Sequence, residues 1–390
     1  MGIRPFLELV QKYYTFKESE MIIIDGDYPM AIGAIGAGRD LKKPIDEVRK
    51  EPPVKTRALE WDNAETMATI PEMRNGKIAA ALVKVVACVV KPGHSHGEFV
   101  SAEAAYGWAQ GQLAYYKLLE HQNEIKILST KSSFKTHMEL WESQEDKAKD
   151  LPVGFILGME GADSIVYPEQ VNEWYEEGLR VISLSHYGVS YYSHGTGTGT
   201  DGGLTKSAKP LLKEMEKLNI ILDVSHTSDQ SVREEFKLFD GPVLASHQNC
   251  RSLVPGERQQ PDDILKEVIS RGGIIGSSMD TYMLNKNYEL DWGGHIPNRR
   301  EIFSSESITL EDFVDHIDYI CQLSGNSNHA AIGGDTDGQG GAEGAPHDVD
   351  TVKDYMKISD ILNRRGYKQT DIENIMYKNW SNLFQKELSD

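Results

Sequence analysis

The stretch NIILDVSHTSDQSVREEFKLFDGPVLASH (219–247) decides the fold. It holds two short apolar runs rich in β-branched residues, each ending in Ser-His, and a segment with helical spacing of apolar residues lies between them. Strand, helix and strand in succession are typical of parallel strands joined by helical crossovers. The stretch therefore predicts a β/α unit in which His226 and His247 stand at the carboxyl ends of two strands.

The same alternation extends over most of the chain. The predicted strands are 21–25, 80–90, 126–130, 153–159, 179–185, 219–225, 241–246, 272–278 and 329–334. The predicted helices are 101–122, 136–148, 168–177, 206–218, 229–238, 262–271, 310–323, 349–365 and 370–388. Nine strands are one more than a barrel needs. We predict an α/β protein with a single-domain (β/α)8 TIM-like barrel over 21–390 and a helical lead-in at 1–20; a doubly wound sheet is the alternative.

Composition excludes several classes of partner. Among 390 residues, 41 lysines and arginines against 60 acidic residues give a net charge of −19, without a basic stripe that could follow nucleic acid. The longest apolar run, AALVKVVACVV (80–90), contains a lysine and is too short for a membrane span. The first twenty residues lack the pattern of a signal peptide. We therefore expect a cytoplasmic protein without membrane or nucleic-acid partners.

Three short motifs match functional patterns but lack the required context. GHSHG (93–97) fits the nucleophile-elbow pattern around Ser95, yet two residues separate it from the preceding strand. GTGTDG (197–202) fits a dinucleotide-binding pattern but begins a dozen residues after its strand. His94 and His96 have no carboxylate nearby. We interpret all three as loop features.

Ionisable side chains close most of the predicted strands. They are Asp25, Glu160, His186, His226, His247 and Asp335. A single histidine beside an apolar run would suit a core or surface position, but the strand ends of a parallel barrel open on one face, so six such groups converge there. Imidazole and carboxylate ligands suit zinc or a similar divalent ion. We predict that Glu160, His226 and His247 form a metal site.

Several longer segments resemble the membrane dipeptidase (renal dipeptidase) family of zinc metallopeptidases, which have amidohydrolase-type barrels. The resemblance extends from about residue 21 to residue 384. Its motifs are LGMEGADSI (157–165), GLTKSAKPLLKEMEKLNIILDVSH (203–226), PVLASHQNCRSL (242–253), VDHIDYICQLSGNSNHAAIGGDTDG (314–338) and RRGYKQTDIENIMYKNW (364–380). GRDLKKPIDEVR (38–49) further resembles a bacterial subgroup.

The resemblance implies a pair of zinc ions that activate the water attacking the peptide bond of a dipeptide. Glu160 matches the glutamate that bridges the two ions, while His226 and His247 match the ligands that complete the second ion. His186 matches the histidine that stabilises the oxyanion and contacts substrate. Arg258 matches the arginine that binds the substrate carboxylate, and Asp335 matches the group that protonates the leaving amine.

The first strand departs from the family pattern. The family has Asp-x-His-x-Asp, whose histidine and second aspartate hold the first ion, whereas this chain has Asp25-Gly26-Asp27-Tyr28-Pro29. Asp27 is a candidate ligand in place of the histidine, and Pro29 offers no side-chain ligand. A single metal on Glu160, His226 and His247 would still be chemically sufficient. Zinc is the expected cofactor, as one or two ions, and other divalent metals fit the same ligands.

The leading hypothesis is a metal-dependent dipeptidase that hydrolyses the amide bond of a dipeptide-like substrate. The alternative is a catalytically weak or inactive barrel that binds a small carboxylate ligand through Arg258 and His186; a different amidase substrate or an unrelated hydrolase is a third reading. Asp280 and Tyr282 stand where a substrate-contacting tyrosine is expected. Family members often dimerise, so a homodimer is a further expectation.

Overall fold

The computed structural model describes residues 21–51, 65–89, 99–197, 202–287, 308–338 and 341–390. In these segments every pair of strands runs parallel. The strands are β1 (Ile23–Tyr28), β2 (Ile78–Val86), β3 (Ile125–Ile127), β4 (Val153–Glu160), β5 (Leu179–Ser183), β6 (Ile221–Asp223), β7 (Val243–Leu244), β8 (Ile275–Ser277) and β9 (Ala330–Ile332).

Eight of these strands form one curled sheet. Their order is β1-β2-β4-β5-β6-β7, and a parallel bridge between Ala245 and Ile275 joins β7 to the pair β8-β9. The two edges of the sheet meet where the backbone N–H of Gly334 donates to Asp25 Oδ1 at 2.7 Å. The N–H of Thr336 donates to the backbone oxygen of Asp27 at 3.3 Å. The prediction of an α/β fold with a TIM-like barrel is confirmed.

The strand in excess of eight is β3. It pairs with the first part of β4, from Ile125 against Val153 to Ile127 against Phe155. The later part of β4 pairs instead with β5, from Leu157 onward. β3 therefore lies beside the amino-terminal half of β4 and stays outside the strand order of the sheet.

Helices connect the strands. They are α1 (Ile45–Val48), α2 (Ile70–Asn75), α3 (Ala102–His121), α4 (Lys131–Ser143), α5 (Val171–Glu176), α6 (Ala208–Lys217), α7 (Asp229–Leu238), α8 (Asp262–Ser270), α9 (Thr281–Leu284), α10 (Leu310–Ser324), α11 (Lys357–Arg364), α12 (Gln369–Glu373) and α13 (Asn379–Glu387). Shorter 3-10 turns lie at Glu145–Asp150, Ala162–Ser164, Pro168–Gln170, Gly341–Gly344 and Val352–Met356, and π-turns at Ile32–Gly36 and Asn374–Lys378.

Side-chain caps set several helix starts. The predicted start of α4 at residue 136 was wrong by five residues, because the hydroxyl of Thr130 accepts the backbone N–H of Ser133 and a capping box begins the helix at Lys131. Ser228 caps α7 by accepting the backbone N–H of Ser231, and Thr309 forms a capping box at the start of α10. The last two predicted helices are each divided into shorter helical segments.

Some expectations lie outside what these segments test. Three predicted features lie outside the described residues. They are the lead-in at 1–20, the motif with His94, Ser95 and His96, and residues 198–201 of the glycine-rich motif. Among the described helices, none has the length and apolar character that a membrane crossing requires. The single-domain interpretation, the homodimer and the cytoplasmic location stay predictions.

A buried histidine lies at the amino-terminal end of the sheet, far along the strands from their carboxyl ends. Nε2 of His137, on α4, donates to the backbone oxygen of Ala79 at 2.8 Å, and a Cβ at Gly154 would lie only 2.6 Å from this nitrogen. Burial lowers the pKa of His137 to about 4, because the charged ring would lose its hydration. The folded protein therefore holds this ring neutral.

We expect this histidine to contribute to acid sensitivity. The unfolded chain takes up the proton below about pH 6.5, whereas the folded chain takes it up only near pH 4. The free energy of unfolding should therefore decrease as the pH is lowered from about 6.5 to about 4. This ring accounts for at most about 1.4 kcal/mol of that decrease per pH unit. Urea denaturation measures the free energy of unfolding at each pH. For His137→Gln this free energy should depend less steeply on pH between about pH 6 and pH 4.5, by the uptake of up to about one proton on unfolding. An unchanged slope would contradict the assignment.

Candidate metal centre and substrate site

The three predicted metal ligands come together at the carboxyl ends of the strands. Glu160 is the last residue of β4, while His226 and His247 each follow their strand, β6 or β7, by three residues. All three are buried. His226 has a left-handed backbone with φ of 63°, which is uncommon for a residue with a side chain and is found preferentially at functional sites.

The ligand atoms of this cluster point at one another. Glu160 Oε1 lies 2.9 Å from His226 Nε2 and 3.3 Å from His247 Nε2, and the two imidazole nitrogens are 2.7 Å apart. They form one group that could hold an ion. Two imidazole nitrogens and a carboxylate oxygen converging in a buried place match the donor set of a catalytic zinc site, so these residues fit a divalent metal.

Charges around the cluster favour a cation. Burial opposes ionisation of Glu160, but the charges of His247 and Lys84 outweigh it and hold the pKa of Glu160 well below its ordinary value. Burial also opposes protonation of His247, yet the carboxylates of Asp27, Asp335 and Glu160 raise the pKa of His247 to about 10. The same three carboxylates would also attract a divalent cation to this place.

The pKa of His226 is shifted in the opposite direction to that of His247. Burial, followed by the positive charge of Arg258 and the proximity of His186, lowers the pKa of His226 well below its ordinary value. A neutral imidazole is the form that binds metal.

Groups behind the histidines fix the orientation of His247. Ser246 Oγ lies 2.8 Å from His247 Nδ1, and Asp223 accepts the hydroxyl of Ser246 at 2.6 Å. The other oxygen of Asp223 accepts the backbone N–H groups of Ser225 and Ser246, both at 3.0 Å. Asp223 thereby joins the loops after β6 and β7, and Nε2 of His247 faces the cluster.

Asp27 lies behind His247 in contact with a lysine. Its Oδ1 is 2.8 Å from Lys84 Nζ and 3.3 Å from His247 Nδ1. With His247 and Asp335 it forms a second group of potential ligand atoms, all within 4.8 Å of one another. The role of Asp27 as a metal ligand stays a prediction.

No expectation from the sequence placed Lys84 in this site, where it contacts Asp27. The signal was available, because a lysine inside the apolar run 80–90 must find anionic partners if the strand is buried. Its side chain is 0% exposed.

Asp335 follows the end of β9 by three residues and lies at the rim of the same site. Its backbone is left-handed with φ of 54°. Asp25 holds the flanking residues, because it accepts the N–H of Gly334 at 2.7 Å and the hydroxyl of Thr336 at 2.9 Å. Burial raises the pKa of Asp335 above its ordinary value, and nearby Asp27 and Glu160 add to the increase.

Arg258 lies buried beside the metal cluster. Its Nη2 is 3.1 Å from His226 Nε2 and donates to the backbone oxygen of His247 at 3.2 Å. Its Nη1 donates to Gln248 Oε1 at 3.1 Å. Tyr187 forms a further hydrogen bond with Arg258, and the hydroxyls of Tyr187 and Tyr282 are in close contact. Tyr282, left without a role in the sequence analysis, thus belongs to this corner.

His186 lies at the mouth of the site. Its Nε2 is 3.8 Å from Glu160 Oε1, its ring centroid is 4.4 Å from that of His226, and its side chain is 20% exposed. The structure therefore brings all the predicted site residues to one face of the barrel, namely Asp27, Glu160, His186, His226, His247, Arg258 and Asp335. Their individual roles stay predictions.

Comparison with known sequences finds a family model that matches almost the whole chain and curated relatives that match part of it. The model of the family described as membrane dipeptidase (peptidase family M19) matches residues 22–388. Dipeptidase verJ of Clonostachys rogersoniana is 27% identical over 245 residues, which are 62% of this chain and 56% of the fungal protein. The matched region spans about half the length of the curated relatives.

Solved structures share the fold. A metallopeptidase from Rhodobacter sphaeroides, liganded with a phosphinate mimic of the dipeptide L-Ala-D-Ala, has a TM-score of 0.71 and 19% identity, covering 94% of this chain and 99% of that one. The probable dipeptidase PvdM from Pseudomonas aeruginosa has a TM-score of 0.71 and 16% identity, covering 99% of both chains. At these identities the likeness establishes the architecture alone.

Proposed function

Because this chain belongs to the membrane dipeptidase family, peptidase family M19, over residues 22–388, we propose that it is a metal-dependent dipeptidase. The observation that supports this most strongly is the buried convergence of Glu160, His226 and His247 beside Arg258 and Asp335. A ligand set, a carboxylate-binding group and a proton donor within one site are what hydrolysis of a dipeptide needs.

We propose that Glu160, His226 and His247 hold one divalent ion, with zinc as the first candidate. Three protein ligands are the usual number in a catalytic zinc site, and Pro29 cannot contribute to a second one. When bound, the ion would supply Lewis-acid polarisation of the scissile carbonyl and activation of a water molecule.

Arg258 would bind the terminal carboxylate of the substrate. Its guanidinium is buried and its fork geometry matches a carboxylate, so two parallel hydrogen bonds can form. The hydroxyls of Tyr187 and Tyr282 lie next to it and can donate to the same carboxylate. These contacts would set the position of the scissile bond relative to Glu160.

His186 and Asp335 would act on the reacting groups. His186 stands near Glu160 at the mouth of the site, where its ring can donate to the oxygen that gains negative charge. Asp335 retains a proton to higher pH than an ordinary carboxyl, which suits a general acid. As the water oxygen bonds to the carbonyl carbon and the C–N bond breaks, Asp335 would give its proton to the departing nitrogen, and the proton released by the water would restore Asp335 to its protonated form.

A dipeptide assay with defined metal content tests this proposal. The Rhodobacter sphaeroides relative binds a mimic of L-Ala-D-Ala, so this dipeptide and L-Ala-L-Ala are suitable first substrates within a wider set. We expect turnover in protein loaded with zinc and none after chelation, with recovery on adding zinc back. Loaded protein that is inert towards every dipeptide would contradict the proposal.

Asp335→Asn tests the general acid. Without a proton donor for the amine, kcat for a dipeptide is expected to fall by about 100-fold to 10,000-fold. For the corresponding depsipeptide, an ester, kcat should fall by a smaller factor, because an alkoxide leaves more readily than an amide anion. Exposed Asp240, changed to asparagine, serves as the control. Equal losses on both substrates would argue against a proton-donating role.

The second candidate function is ligand binding with little or no catalysis. The ion pair between Asp27 and Lys84 favours it, because it removes a carboxylate from the set of available metal ligands. In that case a small carboxylate ligand would still bind through Arg258 and His186. Calorimetric binding of a dipeptide without its hydrolysis would distinguish this function from the first.

A further inference from the structure

A lysine near the carboxyl end of strand β2 reaches the centre of the site through space beside a glycine of the neighbouring strand. Lys84 pairs in register with Gly158 on β4. A Cβ at Gly158 would lie 2.8 Å from Lys84 Cδ, so any larger residue there would displace the lysine stem. The glycine is therefore part of the arrangement that lets Lys84 extend across the inside of the barrel.

The ammonium of Lys84 ends among three oxygens. Nζ lies 2.8 Å from Asp27 Oδ1, 2.8 Å from Asp223 Oδ2 and 3.1 Å from Ser246 Oγ. The ammonium donates hydrogen bonds to Asp223 and Ser246, and its contact with Asp27 is an ion pair between opposite charges. All four side chains are buried, which makes an uncompensated charge at any of them costly.

This ammonium competes directly with a second metal ion. Asp27, His247 and Asp335 lie close enough together to hold an ion, but Asp27 Oδ1 already contacts Lys84 Nζ. A divalent ion on that oxygen would stand next to a fixed positive charge in a buried site, where like charges repel more strongly than in water. The residues of this group therefore do not fit a metal while Lys84 is in place.

The same contacts direct His247 towards the first group of ligands. Asp27 Oδ1 and Ser246 Oγ, both held by Lys84, lie 3.3 and 2.8 Å from His247 Nδ1. Acceptors at Nδ1 favour the tautomer in which Nε2 has its lone pair available for a metal. Lys84 thus acts on the ligand set through Asp27 and Ser246.

We propose that the ammonium of Lys84 is the second cation of this site, so that Asp27 serves as the partner of the lysine and the chain binds one metal ion. This rests on the proposed function for the identity of the metal site. It makes Lys84 a positioning residue whose charge is part of the site without coordinating the metal.

The number of bound ions tests the proposal. Purified protein is dialysed against excess zinc, passed over a desalting column and analysed for zinc by mass spectrometry. We expect one zinc per wild-type chain. Lys84→Met leaves Asp27 and Asp223 without their cation, so its zinc content should rise towards two. The control Lys126→Met, on β3, where the lysine side chain is 52% exposed, should stay at one zinc per chain.

Each outcome is decisive. Two zinc ions in the wild type, or a folded Lys84→Met protein that still binds one, would overturn the proposal. If Lys84→Met does not fold, anomalous diffraction from zinc-soaked wild-type crystals decides, because a zinc peak bonded to Asp27 would contradict it. One zinc per chain without dipeptide turnover would support this inference and refute the proposed function. Two zinc ions per chain with turnover would refute this inference and support dipeptidase activity.

Discussion

Replacing His247 with alanine is expected to abolish zinc binding and to reduce kcat/KM for a dipeptide at least about a thousandfold. His247 contributes one of three ligands, and its Nε2 lies 3.3 Å from Glu160 and 2.7 Å from His226. Two remaining ligands cannot retain the ion through gel filtration, and the ion supplies several kcal/mol of transition-state stabilisation. Zinc analysis and initial rates measure both effects.

A thermal unfolding experiment separates loss of metal from loss of fold. Zinc that binds only the folded state raises the melting temperature of the wild type. His247→Ala should fold but show no zinc-dependent increase, whereas His121→Ala, at an exposed position on α3, should respond like the wild type. A His247→Ala protein with normal zinc content would contradict the ligand assignment.

Replacing Arg258 with alanine is expected to lower kcat/KM for dipeptides by about a hundredfold or more. Hydrogen bonds to a charged group contribute about 1.5 to 3 kcal/mol each, and a carboxylate can receive two from one guanidinium. The loss should appear mainly in KM. Steady-state kinetics with L-Ala-L-Ala measures it.

The substrate amide provides the internal comparison for Arg258. L-Ala-L-Ala amide has no terminal carboxylate, so it should be hydrolysed poorly and at about the same rate by the wild type and by Arg258→Ala. Arg233→Ala, which removes an ion pair with Asp263 on the surface, should leave kinetics unchanged. A loss of equal size on the amide would show that Arg258 acts on the fold or on the metal cluster and does not bind the carboxylate.

Periodicity in the sequence predicted most of the fold. Alternating strands and helices require parallel pairing, and that requirement places the strand ends on one face. Periodicity could not tell which of the nine strands lay outside the strand order of the sheet, because the short run at β3 follows the same alternation of strand and helix as the others. The start of α4 depended on the hydroxyl contacts at Thr130, which apolar spacing does not report.

The residues of the metal cluster could be predicted from the sequence, but the contacts of the neighbouring Asp27 could not. Residues that end strands were recognisable, since the barrel geometry brings Glu160, His226 and His247 together whatever their separation in sequence. The contacts of Asp27 could not be predicted, because they depend on the reach of the Lys84 side chain and on the space beside Gly158. Those are properties of side-chain packing across strands, not of pattern along one strand.

The most direct test of the account is a zinc titration of the metal-free wild-type protein, with dipeptide hydrolysis followed at each step. We expect activity to rise linearly and to reach its maximum at one equivalent of zinc per chain. A maximum at two equivalents, or no hydrolysis at any zinc content, would contradict it.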